Sequence, residues 1–201
     1  EIYTLSLHDA LPISFILAWD EARYAESYVV YIYNEKLDQY VVKAEVALED
    51  LEEAQRPTYV LKGSYNIGAQ EKFKVAAKNF KGEGADSLED YGIIMAPTYL
   101  NSPANNTTTS DKPTFNWRQN PHASGYIVSL ALAGKENTIW QQVTENGSIT
   151  EAHYPGDDPQ APSLQRGMTY FWYNFTQGPT DYNNKPAAYS LSEVWEFEVR
   201  N

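Results

Sequence analysis

An internal repeat constrains this 201-residue chain more than any other feature of its sequence. Trp19 is followed by an alanine and then a tyrosine in the pattern W-x5-A-x2-Y, and the same pattern begins again at Trp117, 98 residues further on. A second match aligns residues 73–79 with a run that begins at Tyr170, at an offset of 97 residues. Because two distant matches share nearly one offset, the chain is predicted to be a tandem of two related domains of about 100 residues each.

Within each predicted domain the apolar residues follow the two-residue period of β-strands. Short runs rich in β-branched and aromatic residues, such as residues 28–33, 125–130 and 194–199, are separated by turn signals such as Asn146-Gly147. Several short strands at this spacing favour an all-β sandwich or barrel. Residues 45–55 differ, because their composition and spacing predict a helical turn or two between strands.

Both predicted domains resemble fibronectin type III domains. The resemblance is carried by a tryptophan on the second strand, a tyrosine that opens the third, and an L-x-x-G-x-x-Y approach to the sixth that begins at Leu164. The second domain also resembles bacterial extracellular versions in its opening P-x-x-L-x-S-P, from Pro97, and its closing W-x-F-x-V, from Trp195. The resemblance implies two tandem seven-stranded, two-sheet sandwiches, the first of which lacks its N-terminal strand.

The resemblance covers residues 15–94 as the first domain and residues 95–201 as the second. Residues 1–14 resemble the translation of a widely used short-read sequencing adapter, and they lack the basic start and small-residue cleavage site of a signal peptide. We therefore expect residues 1–14 to be non-native and the first domain's edge to be poorly formed or patched by them. We then expect the chain to be a metagenomic fragment whose true N-terminus and signal peptide are lost.

Composition argues against several functional classes. The chain has no cysteine, which excludes a disulfide scaffold, a thiolate metal site and a cysteine nucleophile. A net charge of −12 argues against a nucleic-acid partner, because affinity for phosphate backbones depends on lysine and arginine. No apolar run approaches the ~20 residues that cross a bilayer, so no membrane insertion is expected. No catalytic or nucleotide-binding motif occurs, and we predict no catalytic residue, cofactor or metal.

The remaining chemistry-bearing residues have simpler interpretations. His122 and His153 show no zinc-motif spacing, and we interpret both as loop residues even though Asp157 and Asp158 lie near His153 in the sequence. The acidic run at residues 49–53 supplies the carboxylates that glycoside hydrolysis requires, but its pattern favours a solvated face.

One feature distinguishes the two domains. On the sixth strand of the second domain, strand alternation directs three aromatic side chains outward, namely Phe171, Tyr173 and Phe175. Ile127 on the third strand extends this candidate binding face, and so does Trp140 if its strand pairs alongside. Contiguous exposed apolar surface indicates an interaction site, and such rings suit either a protein partner or stacked sugar rings. Alternatively, the loop of residues 177–189 or the neighbouring domain covers these rings as a second small core.

The resemblance implies a spacer, adhesion or accessory module with no catalytic residues to transfer. We therefore expect a non-enzymatic part of a larger extracellular or cell-surface protein of bacterial origin, whose partner is a protein or a glycan at the cell surface. The alternative is an accessory carbohydrate-binding module of a secreted polysaccharide-degrading enzyme. Fold alone does not choose between these two functions.

Overall fold

The computed structural model describes residues 2–6, 14–51, 57–63, 65–135, 137–180 and 187–200. The chain divides into two compact units. Within the described part, the first unit holds most residues up to Ile94, and the second holds most residues from Met95 onward.

The first unit is built from strands, because its β-branched and aromatic residues fit a pleated surface. Its described residues form β1 (Ile2–Ser6), β2 (Ser14–Ala18), β3 (Ser27–Asn34), β4 (Gln39–Ala47), β5 (Thr58–Lys62), β6 (Gln70–Asn79), β7 (Gly82–Asp86) and β8 (Asp90–Ile93). One antiparallel sheet joins β1, β2 and β5, and the other has the order β4-β3-β6, with β7 and β8 both pairing with β6. Apolar side chains from both sheets form one core, so the unit is a two-sheet sandwich.

The edge beside β2 is formed by the first residues of the chain. Ile2 lies opposite Leu17 and Leu5 lies opposite Ser14, so the backbone of β1 pairs antiparallel with β2. This edge is therefore occupied by residues that we expect to be non-native, and their adapter origin stays a prediction.

The second unit repeats this arrangement. Its described residues form β9 (Leu100–Ser102), β10 (Thr107–Thr109), β11 (Thr114–Trp117), β12 (Gly125–Leu132), β13 (Thr138–Thr144), β14 (Glu151–His153), β15 (Thr169–Gln177), β16 (Tyr189–Leu191) and β17 (Trp195–Val199). One sheet has the order β9-β11-β14; the other has the order β13-β12-β15, with β16 and β17 beside β15 and with β10 parallel to β17. When each interrupted strand is counted once, the described residues of each unit fill seven strand positions. The predicted all-β tandem of sandwiches is confirmed.

The repeated tryptophan and tyrosine have the same geometry in both cores. The ring centroids of Trp19 and Tyr28 are 5.1 Å apart at 58°, and those of Trp117 and Tyr126 are 5.2 Å apart at 57°. Each tyrosine hydroxyl accepts a hydrogen bond from the backbone N–H six residues earlier, at 2.9 Å in the first unit and 3.0 Å in the second. The W-x5-A-x2-Y pattern therefore encodes a packed ring pair whose polar end fixes the preceding loop.

The alignment of the sixth strands at an offset of 97 is wrong by two residues. β6 places Ala77 opposite the first repeated tyrosine, and β15 places Thr176 opposite the second, which gives an offset of 99. The sequence match had paired Phe73 with Tyr170. The two residues also differ in their contacts, because the hydroxyl of Tyr170 accepts a hydrogen bond from a backbone N–H at 2.9 Å and phenylalanine has no hydroxyl group. Because strands have a period of two, the error leaves inward and outward positions unchanged.

The helical prediction for residues 45–55 is wrong where the structure describes them, apart from one short turn. Residues 45–47 continue β4, in which Val46 lies opposite Tyr28 and is 2% exposed. Leu48–Asp50 form a single 3-10 turn, and residues 52–56 lie outside the described residues. Burial of Val46 in a paired strand outweighs the local helix propensity of its neighbours.

Candidate binding surfaces

β15 presents one row of side chains to the core of the second unit and another to its outside. Tyr170 and the alternate residues as far as Thr176 are buried, whereas Phe171, Tyr173 and Phe175 are half-buried. The predicted alternation therefore holds, because an extended strand turns successive side chains to opposite faces. The surface formed by these three rings is here called the aromatic face.

Ile127 belongs to the aromatic face. It lies opposite Phe175 on β15 and opposite Val143 on β13, and the side chain of Val143 is 58% exposed. On the other side of β15, Leu191 also lies opposite Phe175. An apolar row thus crosses the four strands β13, β12, β15 and β16.

The aromatic face is partly packed against its own neighbours. The ring centroids of Phe175 and Tyr189 are 4.8 Å apart at 38°, so the end of the loop predicted as an alternative cover shields one ring. Opposite Tyr173, Ser129 is only 1% exposed, and its Oγ accepts a hydrogen bond from Gln141 Nε2 at 3.0 Å. The face is a continuous half-buried surface rather than a set of free rings.

The structure does not bring Trp140 to the aromatic face, and this part of the prediction is wrong. Trp140 is 4% exposed and lies opposite Leu130, a core residue of β12. Its ring stacks with Phe115 at 5.7 Å between centroids, and its indole N–H donates to the carbonyl oxygen of Pro155 at 3.1 Å. The residue points inward because strand pairing sets its face, and the sequence did not give that pairing.

The corresponding face of the first unit is made of lysine, tyrosine and carboxylate groups. At the offset of 99, two of the aromatic positions are occupied by Lys72 and Lys74. Lys72 Nζ lies 5.5 Å from the ring centroid of Tyr33, and Lys74 Nζ lies 4.6 Å from that of Tyr40. These distances are those of cation–π contacts, so the long cations cover the rings.

Carboxylates complete this surface. Tyr40 donates a hydrogen bond to Glu89, whose carboxylate also lies 3.4 Å from Lys72 Nζ. Tyr31 donates a hydrogen bond to Glu83, and that bond raises the pKa of Tyr31 to about 12. The two units therefore share a frame but present different chemistry on equivalent faces.

The histidines and their acidic neighbours do not converge on one point. The interpretation of His153 as a loop residue is wrong, because it is the last residue of β14 and lies opposite Thr114. Its Nε2 lies 2.9 Å from Glu151 Oε1, and its Nδ1 lies 3.0 Å from Thr114 Oγ1. Asp158 instead accepts a hydrogen bond from the backbone N–H of Gln160. The described residues contain no group of three or more histidine, cysteine or acidic side chains placed to hold a metal ion. In the same part of the chain, no helix has the length and apolarity to cross a membrane.

An open cleft of about 610 Å³ lies in the first unit, where β3 ends and β6 begins. Glu35 and Glu71 both line it, and burial followed by the charge of Glu35 raises the pKa of Glu71. Both effects disfavour the ionised form of the Glu71 carboxyl group. Sequence reasoning missed Glu71, because strand alternation does not show which groups meet at a sheet's end.

Comparison with known proteins supports the fold. No protein-family model matches the chain, and no curated protein matches it. Among solved structures, the chain is similar to the FN1–FN3 domains of chicken CNTN1, with a TM-score of 0.50, 15% identity and 94% of this chain covered. The chain spans 63% of the length of that neighbour. The two units described above therefore have the fold of tandem fibronectin type III domains.

Proposed function

We propose that this chain is a non-catalytic module of a larger secreted or cell-surface bacterial protein, and that the aromatic face of its second unit contacts a protein partner. The observation that carries the proposal is the apolar row across four strands, from Val143 to Leu191. Contiguous apolar surface of this kind marks interaction sites. The fibronectin type III fold supports a modular role, while the site, rather than the fold, argues for the partner.

The surroundings of the rings favour a protein over a glycan. Sugar stacking needs an accessible ring face, and Tyr189 packs against Phe175 at 4.8 Å. The neighbours of Phe175 across the sheet are the aliphatic side chains of Ile127 and Leu191. Protein interfaces have such cores, which are rich in aromatic residues and poor in charge. The accessory carbohydrate-binding function depends on Tyr173, which lies between the two phenylalanines of the strand.

The double substitution Tyr173→Ser and Phe175→Ser tests whether the rings serve a partner or the fold. A contact surface predicts a loss of unfolding free energy of about 1–2 kcal/mol, because the fold itself removes only part of the area of these half-buried rings from water. A small second core predicts a loss of about 3 kcal/mol or more. Lys74→Ser, at the equivalent position of the first unit, is the matched control. Urea denaturation of the full chain provides the measurement, and a loss at the higher value contradicts the proposal.

Affinity electrophoresis in gels containing cellulose derivatives, xylan or chitin derivatives separates the two functions. A protein-contact module migrates at the same rate with and without polysaccharide. Retardation of the wild type that Tyr173→Ser abolishes, while Lys74→Ser does not, would support the carbohydrate-binding alternative instead. Recovery of the reading frame upstream of Phe15 gives an independent check, because an adjoining hydrolase domain favours the accessory function.

A further inference from the structure

β13 forms an edge of the larger sheet in the second unit. In the described part of the chain it pairs with β12 alone. Its sequence, TIWQQVT, has seven residues and contains neither a charge nor a proline. Thr138, Gln141 and Val143 are exposed along it. An edge strand presents unpaired backbone N–H and C=O groups, and a long neutral edge is a ready template for another strand.

The equivalent edge of the first unit is protected. β4 carries Lys43 and Glu45, and its register shift lies in mid-strand, opposite the step from Val30 to Tyr31. Lys78 Nζ also lies 2.7 Å from Glu45 Oε1. Charged side chains and irregular register are the devices that prevent edge pairing. In β13 the register shift lies at the first residues, so residues 140–144 pair regularly with β12.

We propose that β13 pairs antiparallel with β13 of a second copy of this chain, which joins the two larger sheets into one. In its regularly paired part the strand is self-complementary about Gln141, since an inverted copy brings exposed Gln141 opposite its own counterpart and Trp140 opposite Gln142 on the core side. Side chains directly opposite each other on one face of two strands stabilise a sheet unless they carry like charges, and this strand carries no charge. A two-fold axis requires one surface to match itself, and this strand meets that requirement.

Charge favours the inverted arrangement. The chain carries a net charge of −12, but the strand itself is neutral, so no like charges meet along it. Exposed Lys135 precedes the strand and exposed Glu145 follows it, and an antiparallel copy brings each close to the other. Glu136, beside Lys135, lies outside the described residues. Val143 also ends the apolar row that contains Ile127, so the paired sheet continues that row across the two-fold axis.

Sedimentation velocity of the full chain over a concentration series tests the pairing. The expected result is a monomer–dimer equilibrium that Val143→Lys weakens about tenfold, because the substitution acts twice across a two-fold axis. Val42→Lys on β4 is the matched control, since Val42 and Val143 are 61% and 58% exposed. It is expected to leave the equilibrium unchanged. Circular dichroism checks that both variants remain folded.

Cysteine substitution tests the register, because the chain has no cysteine of its own. Gln141→Cys lies at the two-fold axis and is expected to form a disulfide-linked dimer under mild oxidation, whereas Thr138→Cys is expected not to. A chain that stays monomeric at every concentration overturns the proposal in favour of a strand from another protein. It is also overturned by association that Val143→Lys does not weaken, or that Val42→Lys weakens equally. Cross-linking at Thr138→Cys but not at Gln141→Cys overturns it as well.

Discussion

The hydroxyl groups of the two repeated tyrosines are expected to make unequal contributions to stability. Tyr28 and Tyr126 are both at most 1% exposed, and each accepts one backbone hydrogen bond. The donor in the first unit is half-buried Ala22, whereas the donor in the second is Asn120, which is 3% exposed. The Tyr126 hydroxyl also donates to a backbone carbonyl at 3.2 Å. Removing the two hydroxyls therefore leaves different groups without partners.

Tyr28→Phe is expected to cost about 1 kcal/mol of unfolding free energy, because it removes one hydrogen bond from a donor that water can reach. Tyr126→Phe is expected to cost about 2–3 kcal/mol, because it removes two bonds and leaves a buried N–H unsatisfied. At about 4–8 °C per kcal/mol for a domain of this size, the melting temperature of the second unit falls two- to threefold further than that of the first. Both rings remain packed on their tryptophans in these variants.

Tryptophan fluorescence during thermal unfolding measures the two losses separately. Trp19 is the tryptophan of the first unit, and the other four of the chain lie in the second. A Trp19→Phe background therefore reports on the second unit alone, and the part of the wild-type signal that this background lacks reports on the first unit. Tyr173→Phe, on the aromatic face, is the control and is expected to change stability by less than about 0.5 kcal/mol. Equal losses for Tyr28→Phe and Tyr126→Phe, or a larger loss for Tyr28→Phe, would refute the reasoning.

Two further substitutions test other features of the cores and faces. Asn174 is fully buried, and neither polar atom of its side chain has a hydrogen-bond partner. The equivalent position of the first unit holds Val75. Asn174→Val is therefore expected to stabilise the second unit by about 1–2 kcal/mol in urea denaturation. A loss of stability would show that the amide has an unrecognised partner. The Lys78 ammonium lowers the pKa of Glu45, so the stability from this pair is present above the unfolded pKa and is lost as pH falls through the lower folded value. Glu45→Gln is therefore expected to flatten the acid side of the first unit's stability profile below the usual glutamate pKa of about 4.3. An unchanged slope, equal to that of the exposed control Glu49→Gln, would contradict this.

The sequence predicted the cores well because large aromatic side chains have few acceptable positions in a sandwich. Trp117 and Tyr126 pack as their repeat implies, and β15 alternates as its pattern predicts. The errors arose where long-range pairing decides the outcome. Trp140 turns inward because Leu130 lies opposite it, and Val46 stays in a strand although its neighbours favour a helix. Local patterns give the period of a strand, but only the partner strand fixes its register.

The equivalent faces of the two units differ in a way that folding does not require. In the first unit, Lys72 and Lys74 cover tyrosine rings and pair with carboxylates, so the face is satisfied within the unit. In the second unit, the corresponding rings leave apolar surface partly in water, at a cost of about 25 cal/mol per Å² of apolar area that a partner could bury. Both frames pack the same tryptophan–tyrosine pair, so the core does not account for this difference. Exposed Val143 lies on the neutral edge strand and also ends the apolar row. The proposed partner contact and the proposed strand pairing therefore involve the same side of the second unit.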